Sequence, residues 1–249
     1  MSTVENHLIA RLPRKDRTHL LAHCESIELK PQEVLCEPGK PIRYAYFPIH
    51  GAIALLALVN GTPGVEVGLV GREGMLGSQL TINILTAPVH AVVQGPGLAH
   101  RIDVSAFRSE LLRSVALQRS MNHYLYIRMT QMATSAVCLH FHLIGPRLAR
   151  WLLMTQDRAH SDNFHVTHES LARLLGVRRE GITNAASALQ RGGLIAYSRG
   201  ELTVLDRSGL EAAACDCYAA DELSYAEFLG DHRKMTLSPL AIAFQTMNQ

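Results

Sequence analysis

Along residues 27 to 107, apolar and β-branched residues fall in short runs broken by Gly and Pro at about ten-residue intervals. The breaks are Pro38-Gly39, Pro48, Gly51, Asn60-Gly61, Gly71, Gly74, Gly77, Pro88 and Gly95-Pro96-Gly97. Runs of this length and spacing predict antiparallel strands. The strongest hairpin signal is Asn60-Gly61, set between Ile53-Ala-Leu-Leu-Ala-Leu-Val59 and Val65-Glu-Val67. Both turn residues tolerate the positive φ that a tight primed turn demands. Many short strands joined this way predict a jelly roll or barrel.

From Ser105 to Leu143 there is neither Gly nor Pro, and the apolar period lengthens from two to about three and a half. One long helix is expected. Leu111, Val115, Gln118, Asn122, Leu125, Met129, Met132, Ala136 and Leu139 follow one another in steps of four and three, as along a coiled-coil seam. Asn122, Leu125, Met129 and Met132 are the predicted dimer interface, because a polar residue at a core position fixes the register between two chains. Gly145-Pro146 should end the helix. A second helix then begins with Arg147-Leu-Ala-Arg-Trp-Leu-Leu-Met154.

The stretch Val166-Thr-His-Glu-Ser-Leu-Ala-Arg-Leu-Leu-Gly-Val-Arg-Arg-Glu-Gly-Ile-Thr-Asn-Ala-Ala-Ser-Ala-Leu189 reads as two helices joined by a tight turn. Thr167 can cap the first helix, with Glu169 favourably placed in its first turn. Leu171, Leu174 and Leu175 form an inner face, Ala172 allows close crossing, and Gly176 supplies the turn. Val177, Ile182, Ala185 and Leu189 bury the second helix. That helix presents Arg178, Arg179, Glu180, Thr183 and Asn184 outward near its start, where a recognition helix meets base edges in the major groove. Arg can bond guanine in a bidentate way, Glu can accept from cytosine, and Asn can pair with adenine. Gly192-Gly193, Leu194-Ile-Ala-Tyr197, a turn at Arg199-Gly200 and Leu202-Thr-Val-Leu205 complete a winged helix, with Arg199 at the wing tip within reach of phosphate.

Charge placement agrees with this reading. The 249 residues carry a formal net charge of only +2, but residues 147 to 207 hold nine Arg against six acids, while 208 to 231 hold six acids and no Lys or Arg. The five cysteines, Cys24, Cys36, Cys138, Cys215 and Cys217, are scattered without a C-x-x-C, which argues against a disulfide framework or zinc ribbon. Cys215-x-Cys217 reads as packing within an Ala-rich C-terminal helix. The isolated His50, His90 and His100, and the pair His140-x-His142, read as solvated or core side chains, so no metal site and no cofactor is assigned. The longest apolar run, Ala52 to Val59, is far shorter than the roughly 20 residues that cross a bilayer. Without a signal-peptide layout at the N-terminus, a cytoplasmic location is expected.

These residues resemble the Crp/Fnr family of bacterial transcription regulators over about residues 20 to 230. The likeness rests on the Gly-punctuated β domain, the long helix, Arg-Leu-Ala-Arg-Trp-Leu-Leu, and Thr-x-Glu-x-Leu-Ala-x-Leu-Leu-Gly-Val-x-Arg-Glu. It implies an α+β chain: an antiparallel sensor jelly roll (1–107), a dimerisation helix (108–143) and a winged helix-turn-helix with a C-terminal helix (144–230); residues 231–249 lack a clear period and are expected to form a flexible tail. It also implies base contact by Arg179 and Glu180 and phosphate contact by Thr167 and His168. Two departures stand out there: Asn184 occupies a base-reading position that is often Arg, and Arg178 stands where the helix is usually capped by Ser.

In the sensor domain, Val70-Gly-Arg-Glu-Gly-Met-Leu-Gly77 leads into the loop that would hold a cyclic phosphate, making Gly77, Ser78, Pro88 and Val89 the expected effector pocket. Cyclic-nucleotide binders of the family place Glu after the Gly and Arg later in the loop. Ser78 and Pro88-Val89-His90 take those places here, so the phosphate-neutralising Arg is missing and an effector other than cyclic AMP, or control by abundance, is expected. Iron–sulfur members carry an N-terminal cysteine cluster that this chain lacks.

The expected partners are double-stranded DNA with an inverted repeat, a second copy of the chain, RNA polymerase and an unidentified small molecule, with no membrane partner. The expected function is non-enzymatic, with no catalytic residue. The alternative is a cupin-like metalloenzyme with an accessory helical domain; it would need a converging His/Glu set, and residues 27 to 107 show no H-x-H motif. A helix-turn-helix serving only as a protein-binding module is a third reading.

Overall fold

The structure, a computed structural model, describes residues 5–159 and 161–229. It divides into two compact units. The predicted tail, 231–249, lies outside the described residues.

The first unit takes in residues up to 58 and 69–126. Two short helices that the strand pattern did not foresee open it, α1 (His7–Ala10) and α2 (Arg14–Ala22). Asn6 begins them. Its Oδ1 accepts from the Leu8 and Ile9 amides, capping α1, while its Nδ2 donates to the Pro48 and Gly74 carbonyls at 2.9 and 2.8 Å. One fully buried amide thus ties the N-terminus to the sheet and to the loop after it.

The strands are β1 (Glu25–Leu29), β2 (Val34–Cys36), β3 (Tyr44–Val59), β4 (Thr62–Val70) and β5 (His90–Asp103). They form one antiparallel sheet in the order β1-β5-β3-β4, with β2 also on β5. Strand β5 carries β1 along Gly97–Arg101 and β2 along Ala91 and Val92, and pairs with β3 along its length. Register shifts between Pro48 and Ile53 bend β3 against β5, as extra residues in one strand of a pair do. The Asn60-Gly61 turn is where the sequence placed it, with φ of 53° and 77°. Phe47 and Phe107 meet edge to face at 5.9 Å in the core, among Leu8, Ile9, Leu20, Leu29, Ile53 and Ile102.

The single helix expected from Ser105 to Leu143 is two. α3 (Val104–Arg113) is capped by Asp103, and α4 (Val115–Phe141) follows after Ser114, whose φ and ψ of −116° and 106° are extended. The break is a cap. The Ser114 hydroxyl accepts from the Leu117 amide at 3.1 Å, a local bond that competes with helix continuation. Apolar periodicity cannot register such a break because the stripe runs on across it. Within this unit Tyr124 of α4 is buried and donates to the Met75 carbonyl at 3.2 Å. Its ring covers Gly74, where a Cβ would collide with the phenol.

The second unit takes in residues 59–68 and those from 127 onward. Its helices are α5 (Ile144–Ala159), α6 (His168–Leu174), α7 (Arg179–Arg191), α8 (Arg207–Ala213) and α9 (Cys217–Leu229). Its small antiparallel sheet is ordered β6-β8-β7, from β6 (Asn163–His165), β7 (Ile195–Ser198) and β8 (Glu201–Val204). Gly145-Pro146 does not end α4, which stops at Phe141; it sits in the first turn of α5, where proline's missing N–H costs nothing. The core is Leu148, Trp151, Leu152, Phe164, Leu171, Ile182, Ile195, Leu202 and Leu210 with their neighbours. Arg150 of α5 forms a buried ion pair with Asp221 of α9 at 2.5 Å.

Candidate nucleic-acid interface

Thr167 is the N-cap of α6, its Oγ1 accepting from the Ser170 amide at 3.1 Å. Gly176, at φ 63°, turns the chain toward α7. Arg178 occupies the N-cap position of α7 without a side-chain capping bond, as expected of a residue with no acceptor. The α7 face made by Ile182, Ala185, Ala186 and Leu189 is buried on the core. The opposite face is free. Arg178, Arg179, Glu180 and Asn184 are exposed, and among the described residues no hydrogen bond or ion pair occupies their side chains. The N-terminal end of a helix adds partial positive charge and unpaired N–H groups to this cluster.

Thr183 and His168 are differently placed. The Thr183 hydroxyl donates to the Arg179 carbonyl at 3.1 Å and lies 3.1 Å from His168 Nδ1. The His168 ring stacks on Tyr197 of β7, with centroids 4.5 Å apart and planes 10° apart. Burial, and after it the charge of Arg179, hold His168 below the ordinary imidazole range. Its ring lies between α7 and the wing at the start of α6, touching Thr183 and Tyr197. Tyr197 in turn donates to the Val166 carbonyl at 2.8 Å, and burial pushes its phenol upward. Sequence reading missed Tyr197 because only the folded hairpin brings strand residue and helix start together.

The wing is the β7–β8 hairpin, turned by Arg199 and Gly200 at φ 52° and 86°. Arg199 is exposed at its tip. The third strand, β6, pairs Phe164 with Leu202 of β8 and was not foreseen, since three residues are too few to show a period.

The model of the Crp-like helix-turn-helix domain matches residues 146–213. Residues 146–213 form a Crp-like helix-turn-helix domain. The fold is shared with a Crp/Fnr-family protein from Eubacterium rectale, at 17% identity over 83% of this chain and 97% of that one, with a TM-score of 0.65. It is shared too with a Crp/Fnr-family transcriptional regulator from Thermus thermophilus, at 21% identity, 76% and 98% coverage and a TM-score of 0.63. A c-di-GMP-responsive global regulator from Xanthomonas campestris is similar at 19% identity, 78% and 100% coverage and a TM-score of 0.62. No curated protein matches the chain. These likenesses are to regulators rather than enzymes, and nothing favours the cupin reading.

Within the first unit, the residues of the expected effector pocket fall on one loop. Gly77, at φ 99°, opens a 3-10 turn at Ser78–Ile82, Pro88 is exposed and Val89 half-buried just before β5. Neither Ser78 nor Pro88 can supply the charge that a cyclic phosphate and its ribose would need. The Glu73 carboxylate accepts from the Gly71 amide at 3.1 Å.

Proposed function

We propose that the regulator acts as a homodimer on an inverted-repeat DNA site. The observation that carries this is the unoccupied polar cluster at the start of α7, held on a packed scaffold. Arg179, Glu180 and Asn184 read base edges in the major groove, Arg178 and Arg199 meet phosphate, and Thr167 offers the amides of the α6 start to the backbone. His168 and Thr183 set the angle of α7 rather than touching bases. The two-fold partner is a second copy joined along α4, where Val115, Met129, Met132 and Leu139 expose apolar surface, Met129 to 64% and Met132 to 52%. Asn122, also exposed, fixes the register, and half-buried Leu125 sits behind them.

RNA polymerase is the further partner of a DNA-bound dimer, and the cytoplasm is its place of action. No helix among the described residues is long and apolar enough to cross a membrane. A small molecule other than cyclic AMP binds near Gly77, Ser78, Pro88 and Val89 and favours one arrangement of the dimer, because a ligand shifts an equilibrium only by its differential affinity. Selection from a random DNA pool tests the proposal. An enriched inverted repeat, lost with Arg179→Ala, is expected; absence of enrichment for the purified dimer would overturn it.

A further inference from the structure

Three of the five cysteines meet in the second unit, although 77 residues separate Cys138 from Cys215. Cys138 lies in the last turn of α4, His142 just beyond it, Cys215 between α8 and α9, and Cys217 at the start of α9. The sequence reading assigned these residues to packing and to solvent. In the structure all four ligand atoms lie within 4.8 Å of one another. Cys138, Cys215 and Cys217 are 2%, 8% and 2% exposed.

The distances discriminate between explanations. A zinc ion with Zn–S bonds of about 2.3 Å and Zn–N bonds of about 2.0 to 2.1 Å has tetrahedral edges of about 3.8 Å for S···S and about 3.5 Å for S···N. Cys138 Sγ and Cys215 Sγ are 3.6 Å apart, and Cys217 Sγ and His142 Nδ1 are 3.5 Å apart. An iron–sulfide core would hold its thiolates farther apart than this group allows. A simple disulfide pair would leave the third thiol and the imidazole converging on the same point without a role.

We propose that Cys138, His142, Cys215 and Cys217 bind a single zinc-class divalent ion, three ligands through Sγ and one through Nδ1. Binding releases three thiol protons to solvent and leaves the imidazole neutral, so ion and ligands together carry one negative charge. Arg150, fixed by Asp221, lies within electrostatic range of Cys138 and Cys217 and balances that charge. The ion staples the end of α4 to the α8–α9 elbow. It thereby fixes α9 against the helix that leads into the DNA-binding fold.

Metal analysis of the full chain, purified without chelator, tests this together with Co(II) titration of the reduced, metal-stripped protein. One ion per chain is expected, and cobalt should give thiolate charge-transfer absorption with the visible bands of a tetrahedral site. Cys217→Ser and His142→Ala should lower metal content several-fold, whereas Cys36→Ser, a buried cysteine outside the group, should not. His142→Cys should restore a tetrahedral site with a shifted cobalt spectrum, which separates ligand loss from misfolding. Failure of the folded, reduced wild-type chain to give the thiolate–cobalt spectrum would overturn the proposal. Equal metal uptake by Cys217→Ser, His142→Ala and the wild type would also overturn it.

Discussion

The indole N–H of Trp151 in α5 donates to the Glu66 carboxylate of β4 at 3.2 Å. Burial pushes Glu66 up to about 7 from its ordinary 4.5, against the opposing pull of the Trp151 bond and of Arg158, Arg150 and Arg128. A carboxyl raised in the folded state binds more protons there than in the unfolded chain, so its contribution to stability is full below about pH 4.5 and is lost as the pH rises through about 7. Trp151 is the chain's one tryptophan. Its emission should therefore titrate near neutrality, and Glu66→Gln should flatten that titration. A wild-type emission independent of pH between about 6 and about 8 would contradict the pairing.

Arg150 and Asp221 join α5 to α9 with both side chains buried. Asp221→Ala leaves a guanidinium stranded away from water and should cost about 3–5 kcal/mol in urea unfolding. In the reduced, metal-stripped protein, replacing both partners, as Arg150→Met with Asp221→Leu, should recover most of that loss, because no uncompensated charge then remains.

Met129→Asp or Met132→Asp should halve the sedimenting mass. These side chains are exposed in the single chain, so its own fold should survive, as far-ultraviolet circular dichroism would report. Leu125→Asp is a poorer probe. That residue is half-buried within its own chain, and a charge there disturbs folding as well as association.

Arg179→Ala or Glu180→Ala should weaken binding to a selected site by about 1–3 kcal/mol and relax preference at one base position. Arg199→Ala should lower affinity for all sequences alike and reduce the salt slope by about one. Fluorescence anisotropy on matched and scrambled duplexes at several salt concentrations distinguishes the two patterns.

The helix-turn-helix was legible because its signals are local: Thr167 as cap, Gly176 as turn, and an amphipathic α7 with charge on one side. The Asn60-Gly61 hairpin was legible for the same reason. What the sequence concealed depends on distant partners or on very short elements. Ser114 interrupts a helix without interrupting its apolar stripe. β6 is three residues long. The stack of His168 on Tyr197 forms only when the hairpin folds against the start of α6. The thiol group at Cys138 joins residues from opposite ends of the unit, and C-x-C spacing alone gives no hint of a ligand 77 positions upstream.

The Tyr124 ring over Gly74 gives the first half of α4 a mechanical tie to the loop between β4 and Ser78. If that half of the helix rolled while the loop stayed still, the phenol would withdraw and leave a dry hole under bare backbone. If the loop moved inward alone, it would meet an aromatic ring with nowhere to go. The two therefore shift together like meshed teeth. One ring and one hydrogen bond are enough to pass a displacement of the loop on to that half of the helix.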